Sequence, residues 1–266
     1  MDSKKRAEQD LNYKLRLEKR LKSALKNLFS KFVSDFYHLL VTERRLDFDQ
    51  IWYDDFRKIL LTHYKYCEDV FSKNYQRQTD AVATESEKNS IHTNLKLFFA
   101  LEAQITAKEL HETTRQNMKN AKKLADIERK AHEEETGTKM ATATFALIAT
   151  NLFRQYLNRR MKTVSVTETQ KATETAKFVE IEVLKTSTTT INNPGSSLAS
   201  MGTKDWFAVL DNVTRPDHVV ADRTQHNIPS NKPFIVGGYK MMYPGDRSLG
   251  APIKQWINCR CICIYS

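Results

Sequence analysis

The sequence predicts an α+β protein in which a long-helical N-terminal region precedes a small α+β module. All six prolines, and every glycine except Gly137, lie beyond Asn193. So long a stretch without helix-breaking residues is typical of helices. Beyond residue 203, short apolar segments alternate with turn residues, which indicates β-strands. We therefore divide the chain at Gly137, into a helical region at residues 1–136 and a module at residues 137–266.

Three helices are expected before Gly137. Apolar side chains recur every three or four residues over 17–39, which predicts the first helix. A similar stripe predicts a second helix over 48–72, and the polar stretch 75–89 that follows is expected to be a loop. The third helix, over 90–135, is predicted to stop at Gly137. An antiparallel bundle is the ordinary arrangement of such helices, and an exposed coiled-coil surface is the alternative.

The chain between Gly137 and the strands begins with a predicted helix over 139–162. Residues 167–184 are ambiguous, because Thr167–Gln170 is typical of a helix start whereas the apolar residues at 179, 181 and 183 alternate as in a strand. Residues 185–203 are rich in Ser, Thr and Asn and are expected to form a flexible loop.

Three segments near the C-terminus are predicted strands. They are 206–210, a hairpin over 234–243 that turns at Gly237–Gly238, and 261–265. We expect them to form one small sheet, because a segment of about 60 residues has too little interior to bury them separately.

Composition limits the class of protein. Apolar residues at 40% and aromatic residues at 10% indicate a folded chain. No apolar run reaches the roughly 18 residues that a membrane span needs. The basic N-terminus is followed by polar and charged residues rather than an apolar run, so we expect no signal peptide and a protein that folds in a cytoplasm. In that reducing compartment the four cysteines are expected to be buried thiols or metal ligands.

The net charge of +10 indicates a polyanionic neighbour, with nucleic acid the obvious candidate. The excess is spread along the chain, so a mildly basic solvated surface is the alternative. No recognition helix or arginine-rich arm is present in the sequence. We therefore expect any DNA contact to be independent of base sequence, with Arg154, Arg159, Arg160 and Lys162 as the candidate contacts.

Eight residues beyond residue 203 form an ordered motif: Trp206, Asp211, Thr214, Arg215, His218, Asn258, Cys259 and Cys261. The first five fit the pattern W-x(4)-D-x(2)-T-R-x-x-H, and Gly237–Gly238 and Met242–Asp246 lie between the two ends of the motif. Over residues 140–263 this arrangement resembles the phage Mu F-like minor head proteins. The chain departs from that family at Val166, where the family has an arginine.

The resemblance implies a minor capsid protein of a tailed phage, with an ADP-ribosyltransferase-like fold and no enzymatic activity. Such a protein is present in few copies inside the virion, near the portal vertex, after assembly in the host cytoplasm. It acts in head morphogenesis and in genome packaging or delivery, beside the portal, neighbouring head proteins and packaged DNA, with no membrane. Residues 1–136 match nothing in the family, and we expect these helices to dock on the portal or the neighbouring shell.

The motif also contains metal-ligand residue types. Side chains alternate along a strand, so Cys259, Cys261 and Cys263 should point to one face, and a strand containing His218 could pair beside them. Zinc suits such ligands, with Cys263, Asp222 or His226 as the fourth. The alternative is a small core of buried cysteines with His218 bonded to Asp211 or to a backbone carbonyl.

Arg215 could fix its loop by pairing with a carboxylate, or it could contact phosphate.

Two enzyme classes compete with the structural interpretation. A metal-dependent nuclease of the HNH type would use His218 to activate water, but such a site needs a last histidine or asparagine on a helix, and a strand-like end follows Asn258. ADP-ribosyl transfer needs a catalytic glutamate, and residues 201–266 contain none.

Overall fold

Four long helices and a small β region make up the part of the chain that the structure describes. The structure is a computed structural model that describes residues 3–42, 48–79, 84–191 and 202–266, with side chains at 48–49, 72–79 and 185–191 left out. The helices are α1 (Ser3–Thr42), α2 (Phe48–Thr79), α3 (Glu85–Thr136) and α4 (Thr142–Ile191). The predicted α+β class is confirmed at this level.

The ends of α3 show how local sequence sets helix limits. At the C-terminal end, Gly137 has a φ of +65°, and its N–H donates to Glu133 O over 3.0 Å, as the predicted stop requires. At the other end, the Thr84 N–H donates to Glu87 Oε2 (2.6 Å), and the Glu87 N–H donates to Thr84 Oγ1 (3.3 Å). This capping box starts the helix inside the stretch 75–89, so the predicted loop there is wrong in its described part. Residues 80–83 lie outside the described residues.

Helix α4 is far longer than the predicted helix over 139–162. It runs through 167–184, so the strand-like alternation there is overridden, and its backbone continues to Ile191. The predicted loop 185–203 is therefore helical at its start, whereas 192–201 lie outside the described residues. Residues 164–177 are buried without interruption although most of them are polar. A helix buried on every side carries no solvent-facing stripe, which is why periodicity did not identify it.

The chain folds into two compact units. Unit 1 comprises Met1–Lys19, Thr62–Ala100 and Thr163–Ser266, and unit 2 comprises Arg20–Leu61 and Leu101–Lys162, each as far as the chain is described. Both units draw on chain from either side of residue 136, where the sequence predicted a division.

Aromatic packing forms the centre of unit 2. The Phe32 ring on α1 stacks on the Trp52 ring on α2 with centroids 4.3 Å apart. The Phe36 ring packs edge-on against Phe153 on α4 at 5.3 Å. The Trp52 indole N–H donates to Asp35 Oδ2 over 3.2 Å, so this large buried ring is fixed in orientation.

Unit 1 contains the strands. Strands β1 (Thr203–Phe207), β2 (Ile228–Pro229) and β5 (Ile262–Tyr265) form an antiparallel sheet in the order β2-β1-β5. Strands β3 (Phe234–Val236) and β4 (Tyr239–Met241) form the predicted hairpin, but as a separate two-stranded sheet. The prediction of one sheet is therefore wrong for the hairpin, whereas the pairing of the Trp206 strand with the last strand is confirmed.

A helix explains the separation of the two sheets. Helix α5 (Pro216–Thr224) packs on both β1 and β3 and supplies apolar surface between them. The Trp206 ring on β1 meets the Phe234 ring on β3 edge-on at 5.3 Å, so the strands share one core without sharing hydrogen bonds.

Side chains of α4 occupy the outer edge of β5. Gln170 Nε2 donates to Cys261 O (2.8 Å), Lys177 Nζ donates to Cys263 O (2.8 Å), and Glu174 Oε2 accepts from the Cys263 N–H (3.2 Å). The three residues are spaced i, i+4 and i+7 and share one helix face. They satisfy backbone groups that a further strand would otherwise pair with.

Charged groups on this face are buried and paired. Glu174 contacts the Nζ atoms of Lys14 and of Lys177 (2.9 Å), and Lys177 also contacts Asp10 Oδ2 at 2.9 Å. Burial alone would lower the pKa of Lys177, but the carboxylates of Asp10 and Glu174 outweigh burial and raise it. All four side chains are nearly inaccessible to solvent, and the two cations balance the two anions.

Among the described residues, no helix has a long enough apolar stretch to cross a membrane.

Candidate metal centre

His218 is placed by a turn and a helix start. Thr214 Oγ1 donates to Asp211 Oδ1 (2.7 Å), and the Val213 N–H donates to the same oxygen (3.1 Å), which turns the chain out of the β1 region. Helix α5 then begins with Pro216 in its first turn, where a proline costs no backbone hydrogen bond. His218 lies one turn into α5 and is 1% exposed. The expected pairing of a His218 strand with the cysteine strand is therefore wrong, because His218 lies on a helix.

The cysteines are placed by the chain that enters β5. Arg215 Nη2 donates to the Ile257 carbonyl, and the Asn258 N–H donates to Thr167 Oγ1 over 3.0 Å. Asn258 has a φ of +54°, a left-handed conformation that asparagine adopts more readily than most residues. Arg215 thus fixes its loop through a backbone carbonyl rather than through the carboxylate considered from sequence.

Alternation along the last strand is confirmed. Cys259, Cys261 and Cys263 belong to the core that contains Trp206, whereas the isoleucines at 262 and 264 pack with Ala7 in a separate cluster. All four cysteines of the chain are free and buried.

His218, Cys259 and Cys261 meet in space, as predicted. His218 Nδ1 lies 3.3 Å from Cys261 Sγ and 3.7 Å from Cys259 Sγ. The three donor atoms all lie within 4.8 Å of one another, and all three residues are buried. This thiol–imidazole group, defined as His218, Cys259 and Cys261, could hold a metal ion.

Cys263, Asp222 and His226, the other predicted ligands, lie outside the thiol–imidazole group. Cys263 is two residues further along β5, and residues at that spacing are about 7 Å apart in a strand. Asp222 Oδ1 instead accepts from the Ala208 N–H (2.7 Å), and His226 lies beside the Asp222 carbonyl.

The tautomer of His218 is set by Gln255 in α6 (Ile253–Trp256). Gln255 Nε2 donates to Asp217 Oδ2 over 2.8 Å. Because a carboxylate only accepts, the amide oxygen of Gln255 must face His218, where it lies 3.1 Å from Nε2. Nε2 of His218 therefore carries a proton, and Nδ1 faces the two thiols. Metal-binding histidines are oriented by outer partners in this way. The expected partners Asp211 or a backbone carbonyl are not the ones observed.

The turn of the β3–β4 hairpin packs on this pair. A Cβ atom added to Gly237 would lie 2.6 Å from Gln255 Nε2 and closer still to Asp217 Oδ2. Gly237 also has a φ of +57°, so both space and backbone conformation require glycine.

The two thiols of the group differ in acidity. The hydrogen bond from Cys261 lowers the pKa of Cys259, and His218 adds to that effect against the cost of burial. Burial raises the pKa of Cys261, as does the adjacent Cys259. Cys259 is therefore the first to become the thiolate that metals bind. Burial raises the pKa of Cys263 to about 12, which is a property of an inert core thiol.

One of the four candidate DNA contacts on α4 is engaged by another helix. Arg154, Arg159 and Lys162 are exposed, whereas Arg160 Nη1 lies 3.4 Å from Leu110 O and from Thr114 Oγ1 on α3. Burial lowers the pKa of Arg160. At 3.6 residues per turn the three exposed residues lie within about 140° of one another around the helix, and Arg159 and Lys162 are neighbours at i and i+3.

Gln255, Asp217 and Gly237 support the group, and sequence reasoning missed these roles. Gln255 is 37 residues from His218 along the chain, and no spacing rule connects a glutamine to a histidine at that distance. The one feature of the sequence that could have indicated this support was the Gly237–Gly238 pair, and a hairpin turn already accounts for both glycines.

Comparison with profiles of known families, with curated protein sequences and with solved structures finds no significant match for this chain.

Proposed function

We propose that the protein is a minor structural component of a tailed-phage head, with a Mu F-like module over residues 137–266 and long helices over residues 1–136 that dock on the portal or the neighbouring shell. One observation carries the proposal: three of the eight motif residues, which are scattered over the last third of the chain, form the thiol–imidazole group, and the other five lie around it. The Trp206 ring, for example, packs edge-on against the His218 ring at 5.5 Å. Asp211 and Thr214 form the turn into α5.

The roles of the motif residues favour a structural function. Arg215 and Asn258 hold the chain that carries the cysteines. His218 is buried with Nε2 engaged by Gln255, so it is poorly placed to activate water as an HNH nuclease requires. Glu168, a buried glutamate near the motif, bonds to Tyr64 and Lys171, contacts that give it a structural role.

We further propose that the metal is zinc. Zinc bonds of about 2.3 Å to sulfur and about 2.0 Å to nitrogen, at tetrahedral angles, require sulfur–nitrogen separations of roughly 3.5 Å. The observed separations of 3.3 Å and 3.7 Å bracket that value. Such an ion would join α5 to the chain that enters β5, and it would stabilise a module that is too small for a large core.

The exposed apolar side chains of unit 2 support docking through the long helices. On α3, Leu124 and Ile127 are 41% and 55% exposed, and on α4 Leu147 is 54% exposed. A cavity of about 710 Å³ lies on the same unit, with Met118 and Phe145 among its apolar walls and Lys119, Lys122 and Arg129 at its cationic side. Exposed apolar surface rimmed by charge is typical of protein contacts.

The docking proposal is tested by co-sedimentation of the full-length chain with assembled portal. We expect Leu124→Lys combined with Ile127→Lys to abolish binding, because the cations would face an apolar partner surface. Val220→Lys on α5 is the matched control, since it also places a lysine at an exposed apolar position, 58% exposed, but in unit 1. Retained binding by the double variant together with loss in the control would assign docking to unit 1. If the double variant and the control both keep binding, the exposed apolar side chains no longer support docking.

A further inference from the structure

A cleft reaches all three donors of the thiol–imidazole group. Besides His218, Cys259 and Cys261, its walls are formed by Val209, Asp211, Val213, Thr214, Arg215, Asn258 and Arg260. The cleft is narrow, with a volume of about 20 Å³, and its walls include the exposed residues Val213 and Asn258.

The group offers three ligands, and zinc takes four. Within the part of the chain that the structure describes, no further His, Cys, Asp or Glu donor atom lies within 4.8 Å of all three. Structural zinc sites are closed by a fourth protein ligand, whereas sites that bind external ligands keep one position open. An open fourth position would face the walls of the cleft.

We propose that the fourth metal position faces this cleft and binds a carboxylate from outside the chain. The inference rests on the proposed metal centre and assigns it a ligand-binding role. Zinc with two thiolates and a neutral imidazole carries no net charge, so the charge of the cleft walls decides which ligand is favoured. Arg215 and Arg260 bring two guanidinium groups, which favour an anion and suit the planar oxygens of a carboxylate.

The two arginines differ in how far they are neutralised. Arg260 binds Glu18 with both Nε (3.0 Å) and Nη2 (2.9 Å), and its Nη1 lies 4.0 Å from Asp211 Oδ2. Arg215 donates to a backbone carbonyl, which carries no formal charge to offset its own. Arg215 therefore supplies most of the attraction for the incoming anion.

Asp211 is the internal competitor. It is the one carboxylate in the cleft walls, but its Oδ1 already accepts from Thr214 Oγ1 and from the Val213 N–H. These bonds hold it in the turn before α5. Replacing it by asparagine preserves the acceptor oxygen and removes the charge, so Asp211→Asn separates an internal ligand from an external one.

The test uses the full-length protein loaded with Co²⁺, whose visible absorption bands report the ligand set directly. We expect one Co²⁺ per chain, and a saturable change of the ligand-field bands on titration with acetate. Asp211→Asn should keep both the bands and the acetate response, and Cys263→Ser, the matched control outside the group, should do the same. The affinities of acetate and of a short peptide with a single glutamate are compared. The ligand that binds more tightly identifies the preferred source of the carboxylate, a small free molecule or a side chain.

Three outcomes would overturn the inference. If acetate and the peptide leave the bands unchanged while Asp211→Asn alters them, Asp211 closes the site. If the carboxylates and Asp211→Asn all leave the bands unchanged, another group of the chain closes it. In both cases the metal centre stands and only the open position is lost. Failure of the unaltered chain to bind Co²⁺ or Zn²⁺ would instead remove the metal centre itself.

Discussion

At the scale of single residues, the hairpin turn allows a sharp test of the support around His218. Gly237→Ala would place a methyl group against Gln255 Nε2 and Asp217 Oδ2 and displace the amide that orients the imidazole. We expect zinc affinity to fall by about 10- to 100-fold, the usual effect of losing an outer partner. Competition with a chromophoric chelator measures it.

The control for that substitution is the next residue. Gly238 also has a positive φ, +83°, but an added Cβ would meet nothing within 4 Å. Gly238→Ala should therefore cost about 1–3 kcal/mol of stability through backbone strain and leave zinc affinity unchanged. Equal loss of zinc affinity in both variants would show that turn strain, not the contact with Gln255, is responsible.

Cysteine substitutions separate metal ligands from core thiols. Cys259→Ser and Cys261→Ser should remove the stabilisation that zinc gives, so that the melting temperature no longer responds to a chelator. Cys263→Ser should lower the melting temperature through lost packing but keep the chelator response, because Cys263 lies outside the group. Thermal melting with and without EDTA provides the measurement. Chelator-independent melting of the unaltered chain would contradict the prediction.

The sequence could predict the metal-donor residues but not the residues that hold them in place. His218, Cys259 and Cys261 are residue types whose chemistry is visible in the sequence, and strand alternation places the two thiols on one side. Gln255 is an ordinary glutamine until the fold brings it between Asp217 and His218. Its role depends on a contact across 37 residues of chain that no local pattern encodes.

At the scale of elements, α4 shows where periodicity loses its information. Residues 164–177 are mostly polar, yet each face of the helix meets a different partner. Thr169 meets His63 on α2, Thr175 meets Tyr243, and Gln170 meets the Pro244 carbonyl. A sequence pattern distinguishes faces only when one of them is apolar or faces water.

The buried charges between α4 and β5 give a stability prediction for this element. Glu174→Ala would leave Lys14 and Lys177 buried without their shared anion and would free the Cys263 N–H. We expect a loss of about 3–5 kcal/mol, the usual cost of breaking a buried ion pair from one side. Urea unfolding measures it.

The control for Glu174→Ala is an exposed pair. Glu85→Ala removes the ion pair with Lys88 on α3, where the glutamate side chain is 82% exposed. Its effect should be small, because exposed ion pairs contribute little. Comparable losses in the two variants would mean that the cost comes from the glutamate's helix propensity rather than from burial of its partners.

At the scale of the whole molecule, sequence predicted the coarse α+β class, whereas the compact units depend on long-range contacts. The proline and glycine distribution locates the β region because those residues act locally. The two compact units depend instead on which segments of four long helices meet, and each unit takes chain from both sides of residue 136. Helix–helix pairing is a long-range property, and amphipathic stripes do not specify their partners.

The net charge of +10 belongs to the whole molecule, and it gives the last prediction. Duplex DNA should bind independently of base sequence, and the logarithm of the affinity should fall linearly with the logarithm of salt concentration. Arg154→Ala and Arg159→Ala should each lower the slope by about 1, since both side chains are exposed to solvent, where a phosphate can reach them. Arg160→Ala should leave the slope unchanged, because Arg160 is held against Leu110 and Thr114. Fluorescence anisotropy across a KCl series measures the slopes. Binding that ignores salt would rule out phosphate contact, and a loss of slope in Arg160→Ala alone would reverse the assignment of residues.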